Sequence, residues 1–512
     1  MNRTMKTRFF GFILLLFALP VCAQVHISVG DPMSWSTQEL STYVGQTVIF
    51  DDPIVVCSNA SSDLKVAPWR MYQPQSQGEV GTVEYNQAIH INGSCAFTLT
   101  NVSGYHRCGE KIYNLKVKVN SSSNVSWISG EWRGNTRKDM EKLPDLGDYR
   151  LLICSFNLEN YFVEHLGKSY LGANSYADHQ KQRAKISKAL KQINADIFGL
   201  VELEEGDAAI EEIVNDLNAN LPARNYKYFH EVSSGSSQKS DYVYDANVVE
   251  PIGTPSVINT EVQNRKRMIC FREIATGEKF IYSINHFKAM NTGDEYRRVN
   301  EAQAVVNYYK TYRLNASVRD NDILFMGDLN CYAKTEPIAV FTEANMIDLH
   351  RAFHADSSYS YMFGGLASYI DHALCNETLY RQVTGMSAYH INSDENDYYT
   401  YDKSSDNTMF RCSDHDPVLV GLKLDSTLVF EAGPTLNTYE VMTGEANYLV
   451  IQNAHNSDQK SFYAIYTTSG LLLEQKEITS VYFEVELPVQ QGSYIVYIYT
   501  DGQAYQRRLI VR

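Results

Sequence analysis

The chain has 512 residues and a formal charge of −15, from 60 acidic against 45 basic side chains, with 44% apolar content. That length is too great for one hydrophobic core and implies about two to four domains. The acidity excludes a broad basic surface of the kind that holds nucleic acid stably, and leaves room for a local cationic lip around a site that must release its product.

At the start, Arg3, Lys6 and Arg8 precede the apolar run Phe9 to Pro20, and Val21-Cys22-Ala23 offers small residues before Gln24. This is the pattern of a cleaved export signal over residues 1–23, so a secreted or surface-exposed protein is expected. Leu19-Pro20-Val21-Cys22 can also be read as a poor lipoprotein box that would tether the chain through Cys22. The run is short for a membrane span, and no other stretch is long and apolar enough to be one. Eight of the nine cysteines remain beyond Ala23, without regular spacing, so at most one or two disulfides and some buried free thiols are expected. The missing Cys-x-x-Cys and paired Cys/His spacings argue against zinc.

Residues 24–132 alternate short strands with turns such as Asn92-Gly93 and Val102-Ser103-Gly104, the texture of a small β-barrel or sandwich. Residues 133–147 are charged and without period, which suits a linker. From 148 to 425, apolar strands alternate with helical patterns. Asp178 to Ile193 places Arg183, Ile186, Leu190 and Ile193 at helical spacing, and Glu295 to Tyr312 does the same with Val299, Ala302, Val306 and Tyr309. Such alternation predicts a layered α/β arrangement. Residues 426–512 return to strands, ending in Gly492-Ser493-Tyr494-Ile495-Val496-Tyr497 and Leu509-Ile510-Val511-Arg512.

Polar residues recur where the apolar strands end. Asn157 closes Leu151 to Phe156, Glu202 closes Ile197 to Val201, and His286 closes the run Phe280 to Ile284. Asp328 and Asn330 follow Ile323 to Gly327, while Ser413-Asp414-His415-Asp416-Pro417 leads into Val418 to Leu422. Carboxylates beside imidazoles at strand ends can hold a cation and move a proton.

In order, Asn157, Glu202, Asn285-His286-Phe287-Lys288, Gly327-Asp328-Leu329-Asn330, Tyr359-Ser360-Tyr361, Ile370-Asp371-His372, Val383-Thr384-Gly385, His390-Ile391-Asn392 and Ser413-Asp414-His415 resemble the exonuclease-endonuclease-phosphatase superfamily, which has the DNase I-like fold. The likeness spans roughly residues 148–425 and is greatest to large secreted bacterial nucleases. It implies an α/β four-layer sandwich with the site at one edge of two packed sheets. Tyr43-Val44-Gly45-Gln46-Thr47-Val48 is similar to the OB-fold-like modules that precede such domains. The C-terminal strands resemble a type IX secretion sorting domain, although its usual Asn-Pro is replaced by Gly433-Pro434. A plain accessory β-sandwich is the other reading of that region.

The resemblance further implies a metal-dependent nuclease acting on DNA or RNA. Mg²⁺, with Mn²⁺ or Ca²⁺ able to substitute, would be held by Asn157, Glu202 and Asp414 through hard oxygens. Asp328 would orient or deprotonate water, with Asn330 holding the water or the phosphate. His286 and His415 would divide the proton tasks, Asp371 fixing the tautomer of His415. Arg265, from the cluster Arg265-Lys266-Arg267, and Lys288, near Arg297 and Arg298, would contact phosphate. His350, His354, His372 and His390 read as structural. A phosphatase or sphingomyelinase of the same fold, or a non-catalytic adhesin that retains it, are the competing readings; no hydrophobic hairpin insertion of the lipid-acting kind is evident in the sequence.

Overall fold

The computed structural model describes residues 24–30, 35–59, 63–76, 94–167, 172–231, 237–260, 264–354, 357–425, 439–443, 448–453, 461–467, 471–478, 482–486, 492–500 and 503–511. The 1–23 signal segment, Asn92-Gly93 and Gly433-Pro434 lie outside the described residues.

Two six-stranded mixed sheets form the centre. One runs Tyr226–Tyr228, Gln238–Asp245, Ile197–Glu204, Leu151–Tyr161, Val418–Leu422, Val383–Ala388. The other runs Val249–Val257, Lys266–Glu273, Lys279–His286, Ile323–Asp328, Asp371–Asn376, Met346–Asp348. Their central strands are buried on both faces, which is why they read as unbroken apolar runs. Because side chains alternate, Leu151 and Ile153 face the second sheet and meet Tyr282, Ile284 and Met326. Leu152, Cys154 and Phe156 point the other way, onto Ile186, Leu190, Ile210 and Ile213 of helices Tyr176–Ile193 and Ala208–Asn220. On the far side, Cys270, Ile281 and Phe325 pack on Ala302, Val306, Ile338 and Phe341 of helices Glu295–Tyr312 and Glu336–Glu343. The order is therefore helix, sheet, sheet, helix. The sheets approach closely at Gly199, where a Cβ would lie 2.2 Å from the Tyr282 hydroxyl oxygen; any larger residue there would part the layers.

The two long helices coincide with their sequence patterns. Arg183, however, is turned outward to Asp216 and Glu212. Glu336–Glu343 and Leu349–His354 escape a periodicity reading because one or two turns give too few repeats.

Ahead of this core, strands Lys111–Ser121, Ile54–Ser58, Leu64–Ala67, Phe97–Thr100 and Asn124–Arg133 pair in that order, and the last returns to the first, closing a barrel. Val25–Ile27 and Thr47–Phe50 extend it. The C-terminal strands form a three-stranded sheet (Tyr439–Thr443, Tyr448–Asn453, Tyr482–Glu486) and a four-stranded one (Leu472–Ile478, Ser461–Thr467, Gly492–Thr500, Gln503–Val511). Among the described residues no helix is long and apolar enough to cross a membrane.

The 133–147 stretch is docked on the core: Arg137 pairs with Glu395 at 2.6 Å and Leu146 is buried against Gly385. All eight described cysteines are free and buried, in keeping with the expected buried thiols, and no disulfide forms among them. Their thiols sit within the apolar cores, where burial raises Cys57 to about 11 and Cys270 to about 12. A short hairpin, Tyr361–Phe363 with Leu366–Ser368, lies between core and barrel, bridged to His415 on one side and to Tyr72 on the other. Its Met362 and Leu366 pack on the N-terminal barrel, and Phe363 remains exposed.

Barrel and core are joined by a buried ion cluster around Asp394. Burial alone would raise this carboxyl, but Arg70, His390 and Arg107 bring it down to about 2. Depressed in the fold, it contributes stability that is fully present above the unfolded value near pH 4 and is lost as pH falls through about 2. Asp394→Asn should cost about 2 kcal/mol or more at neutral pH. It should also flatten the loss of stability between about pH 4 and 2 in acid-titrated denaturant melts; parallel declines in both proteins would contradict this.

Candidate active site

Strand register assembles the site. The His286 strand pairs in parallel with the Asp328 strand, and the Asp371 strand pairs antiparallel on the other side, so His286, Asp328 and Asp371 stand in one row. This close pairing needs Gly327: its φ is +130°, and a Cβ would lie 1.9 Å from the Asn285 carbonyl oxygen. In the facing sheet, Asn157 is opposite Val201 in the parallel pair, which puts Glu202 one residue further along. Glu202 and Asn330 both adopt left-handed backbone, at φ 61° and 48°. Strained positions of this kind are held by their surroundings and concentrate at functional sites.

Asp328 is the hub. Its Oδ2 accepts from Asn157 Nδ2 at 3.1 Å and Asn330 Nδ2 at 3.2 Å, while its Oδ1 accepts from the Asn330 backbone N–H at 2.8 Å. Nε2 of His286 lies 3.8 Å and Nε2 of His415 4.0 Å from the same Oδ2. His286 Nε2 is also 3.6 Å from Glu202. His415 Nδ1 sits 2.8 Å from Asp371 Oδ2, which accepts a second bond from Ser360 Oγ at 2.7 Å. That fixes Nδ1–H as donor and turns Nε2 towards Asp328. Asp414, a third exposed, lies 3.9 Å from His415 Nε2.

The electrostatics set the imidazoles apart. Burial, with Arg265 and His415 nearby, pushes His286 well below its ordinary range. Burial acts the same way on His415, but Asp371, Asp414 and Asp328 outweigh it and hold the imidazolium well above that range. Burial, with Asp371 and Glu202, raises Asp328 to about 7, and burial with Asp414 raises Glu202. The pocket therefore carries a surplus of buried negative charge.

Asn157, Glu202, His286, Asp328, Asn330, Asp371, Asp414 and His415 are thus brought together. Arg265 joins them: its buried Nε has no partner, and it lies in the field of Glu202 and Asp328. The rest of its expected cluster does not, because Lys266 pairs with Glu301 at 2.8 Å and Arg267 with Asp241 at 3.3 Å. Lys288 is half-buried, two residues past His286; Glu301 accepts its backbone N–H at 2.8 Å, and no bond ties its amine to the carboxylates among the described residues. Arg298 is spent on the Lys288 and Ala289 carbonyls. His350, His372 and His354 are bound to backbone carbonyls, and His390 to Asp416.

Two residues escaped the sequence reading. Ser360, inside the quoted Tyr359-Ser360-Tyr361 fragment, supports Asp371, a role no spacing reveals. Glu159 has left-handed backbone at φ 53°; burial and Asp414 raise it to about 8. Only its place two residues past Asn157 hinted at the site.

Oxygen-rich donor sets suit a hard divalent cation. Glu202, His286 and Asp328 can offer one ligand atom each, all mutually within 4.8 Å, and so can Asp328, Asp371 and His415. The first set fits better, since Asp371 and His415 already engage each other.

The sequence profile of the Endonuclease/Exonuclease/phosphatase family matches residues 154–415. A search of curated proteins finds no match. Among solved structures, the chain is similar to an endonuclease/exonuclease/phosphatase from Bacteroides vulgatus, at 16% identity over 54% of this chain and 99% of that one, with a TM-score of 0.38. It is similar to a mannosyl-6-phosphatase from Bacteroides thetaiotaomicron, at 16% identity over 54% and 100%, with a TM-score of 0.38. The human Nocturnin catalytic domain aligns at 14% identity over 55% and 95%, with a TM-score of 0.39.

If Asp371 holds the charge on His415, Asp371→Asn should move the His415 titration to lower pH, by one pH unit or more on the scale of a charged neighbour within hydrogen-bond reach. The His286 titration should stay put. NMR of labelled histidine reads both; an unmoved His415 would contradict the assignment.

Proposed function

The chain belongs to the endonuclease/exonuclease/phosphatase family, and on that premise we propose that it is a divalent-metal-dependent phosphodiesterase that hydrolyses nucleic acid, DNA foremost. The observation that carries this reading is the placing of Asp328 between the Nε2 atoms of His286 and His415, with Asn157 and Asn330 bonded to the same carboxylate oxygen.

Glu202, in the group with His286 and Asp328 whose ligand atoms lie within 4.8 Å of one another, would be the principal holder of Mg²⁺, with Asn157 and Asp414 assisting; Mn²⁺ or Ca²⁺ could replace it. A cation there supplies polarisation of the phosphate and shielding of the charge that develops on its oxygens. The chain's own groups do the rest. Asp328 accepts a hydrogen bond from the attacking water, orienting it and taking its proton as the new P–O bond forms. Asn330 and Asn157 keep that carboxylate from turning. His415, protonated and backed by Asp371, presents Nε2–H to the phosphate or to the departing oxygen as the old P–O bond breaks. His286, held neutral, offers Nε2 as a hydrogen-bond partner on the opposite side.

Half-buried Arg265, whose Nε has no hydrogen-bond partner and which lies in the field of Glu202 and Asp328, is placed to contact a phosphate group, with half-buried Lys288 two residues past His286.

The test is incubation of the full mature chain with closed circular DNA, in chelator and after Mg²⁺ is restored, alongside assays for phosphate from monoesters and phosphocholine from sphingomyelin. Nicked and linear DNA in Mg²⁺ alone is expected, and Glu202→Ala should lower the rate by about a thousandfold or more. Phosphate or phosphocholine release with intact DNA would overturn the nuclease reading, and turnover in chelator would overturn the metal.

A further inference from the structure

We propose that the N-terminal barrel is a working part of this active site, with Arg70 and Asp394 as positioning residues that hold the His415–Asp371 pair in place. The inference rests on the reading of His415 as a group that works on the substrate.

Two chains of contacts lead from Asp394 to that pair. The first follows the 390–396 loop. Asn392 and Ser393 give their backbone N–H groups to Asp416 Oδ1 at 2.8 and 3.0 Å, and Asn392 Nδ2 holds the His415 carbonyl at 2.7 Å. The second follows the opposite side. The Tyr359 hydroxyl donates to Asp394 Oδ2 at 2.8 Å, the next residue, Ser360, donates to Asp371 Oδ2 at 2.7 Å, and the Ser360 carbonyl accepts Asp416 N–H at 2.8 Å. Main chain and carboxylate partner of His415 are thus both braced through one buried residue.

The barrel supplies what holds that residue. Arg70 and Asn135 bond its carboxylate, the latter at 2.8 Å, with Arg107 3.9 Å away. The Cys108 N–H and Asn59 Nδ2 bond its carbonyl at 2.9 and 3.0 Å. Arg107 also holds the His390 carbonyl at 2.6 Å. An aspartate fully out of water cannot keep its charge without these partners, so losing Arg70 should release the loop as well as weaken the interface. Arg70 also lines a cleft of about 590 Å³ together with Trp69, Tyr72, Lys111, Asn135 and Tyr359. A small cation can therefore reach its place once the side chain is removed.

The experiment compares Arg70→Ala, the milder Arg70→Lys and, as a control at the exposed rim of the cleft, Lys111→Ala, in the full chain with Mg²⁺. For Arg70→Ala, kcat on DNA should fall about ten- to a hundredfold with KM within about twofold, as for a misplaced catalytic group. Millimolar guanidinium should restore much of it, while Arg70→Lys should lie between and Lys111→Ala should match the parent. Hydrogen exchange gives a readout that needs no substrate. Arg70→Ala should expose residues 390–396 and 413–416 and leave helix Tyr176–Ile193 unchanged. Parental kcat in folded Arg70→Ala, or unchanged exchange in those loops, would overturn the proposal. If the parent itself cleaves no phosphodiester, the nuclease reading fails, and the exchange result alone decides whether the barrel braces His415.

Discussion

The hydrogen bond from Asn157 to Asp328 crosses from one sheet to the other, and it is the contact on which the rest of the site depends. Asp328 ends its strand and Asn157 is the last residue of its strand before the pairing becomes irregular; the apolar bodies of both strands lie in the layer between the sheets, so the packing of Ile153, Tyr282, Ile284 and Met326 sets the spacing of the two polar residues. Shifting either central strand by one residue would turn its apolar set away from this layer, and burial of several such side chains, at about 1.5–3 kcal/mol each, forbids the slip. The chemistry is aligned by a register that the core enforces.

That alignment has an electrostatic cost. Glu202, Asp328, Asp371 and Asp414 crowd into a space with one unpartnered guanidinium and two imidazoles, one of them held neutral. Burial raises the proton affinity of Glu202 and Asp328, and His415 stays protonated because carboxylates surround it. Such a cluster is poorly suited to stabilising the fold by itself and well suited to a hard cation and a phosphate group.

Much of this was legible in the sequence, because the fold puts chemistry at strand ends. Asn157, Glu202, His286, Asp328 and His415 each stand where an apolar run stops, and continuous runs mark strands buried on both faces. Asp371 needed the family likeness, since Ile370-Asp371-His372 does not say which neighbour faces His415. The braces were not legible: Ser360 and Asp394 act through long-range contacts, and basic neighbours such as Lys266 and Arg267 look like phosphate ligands until Glu301 and Asp241 are seen to neutralise them. Alternation along a strand sends adjacent charges to opposite faces, so a basic run in sequence need not be a basic patch in space.

The central claim, that the carboxylates gathered around Asp328 exist to hold a divalent cation for phosphodiester hydrolysis, is tested most directly by calorimetric titration of Mn²⁺ into the chelator-treated full chain and its Glu202→Ala variant. Saturable binding to the parent, accompanied by proton release near pH 7 and lost in the variant, is the result predicted by the raised carboxylates. Equal binding by both proteins, or none by the parent, would contradict it.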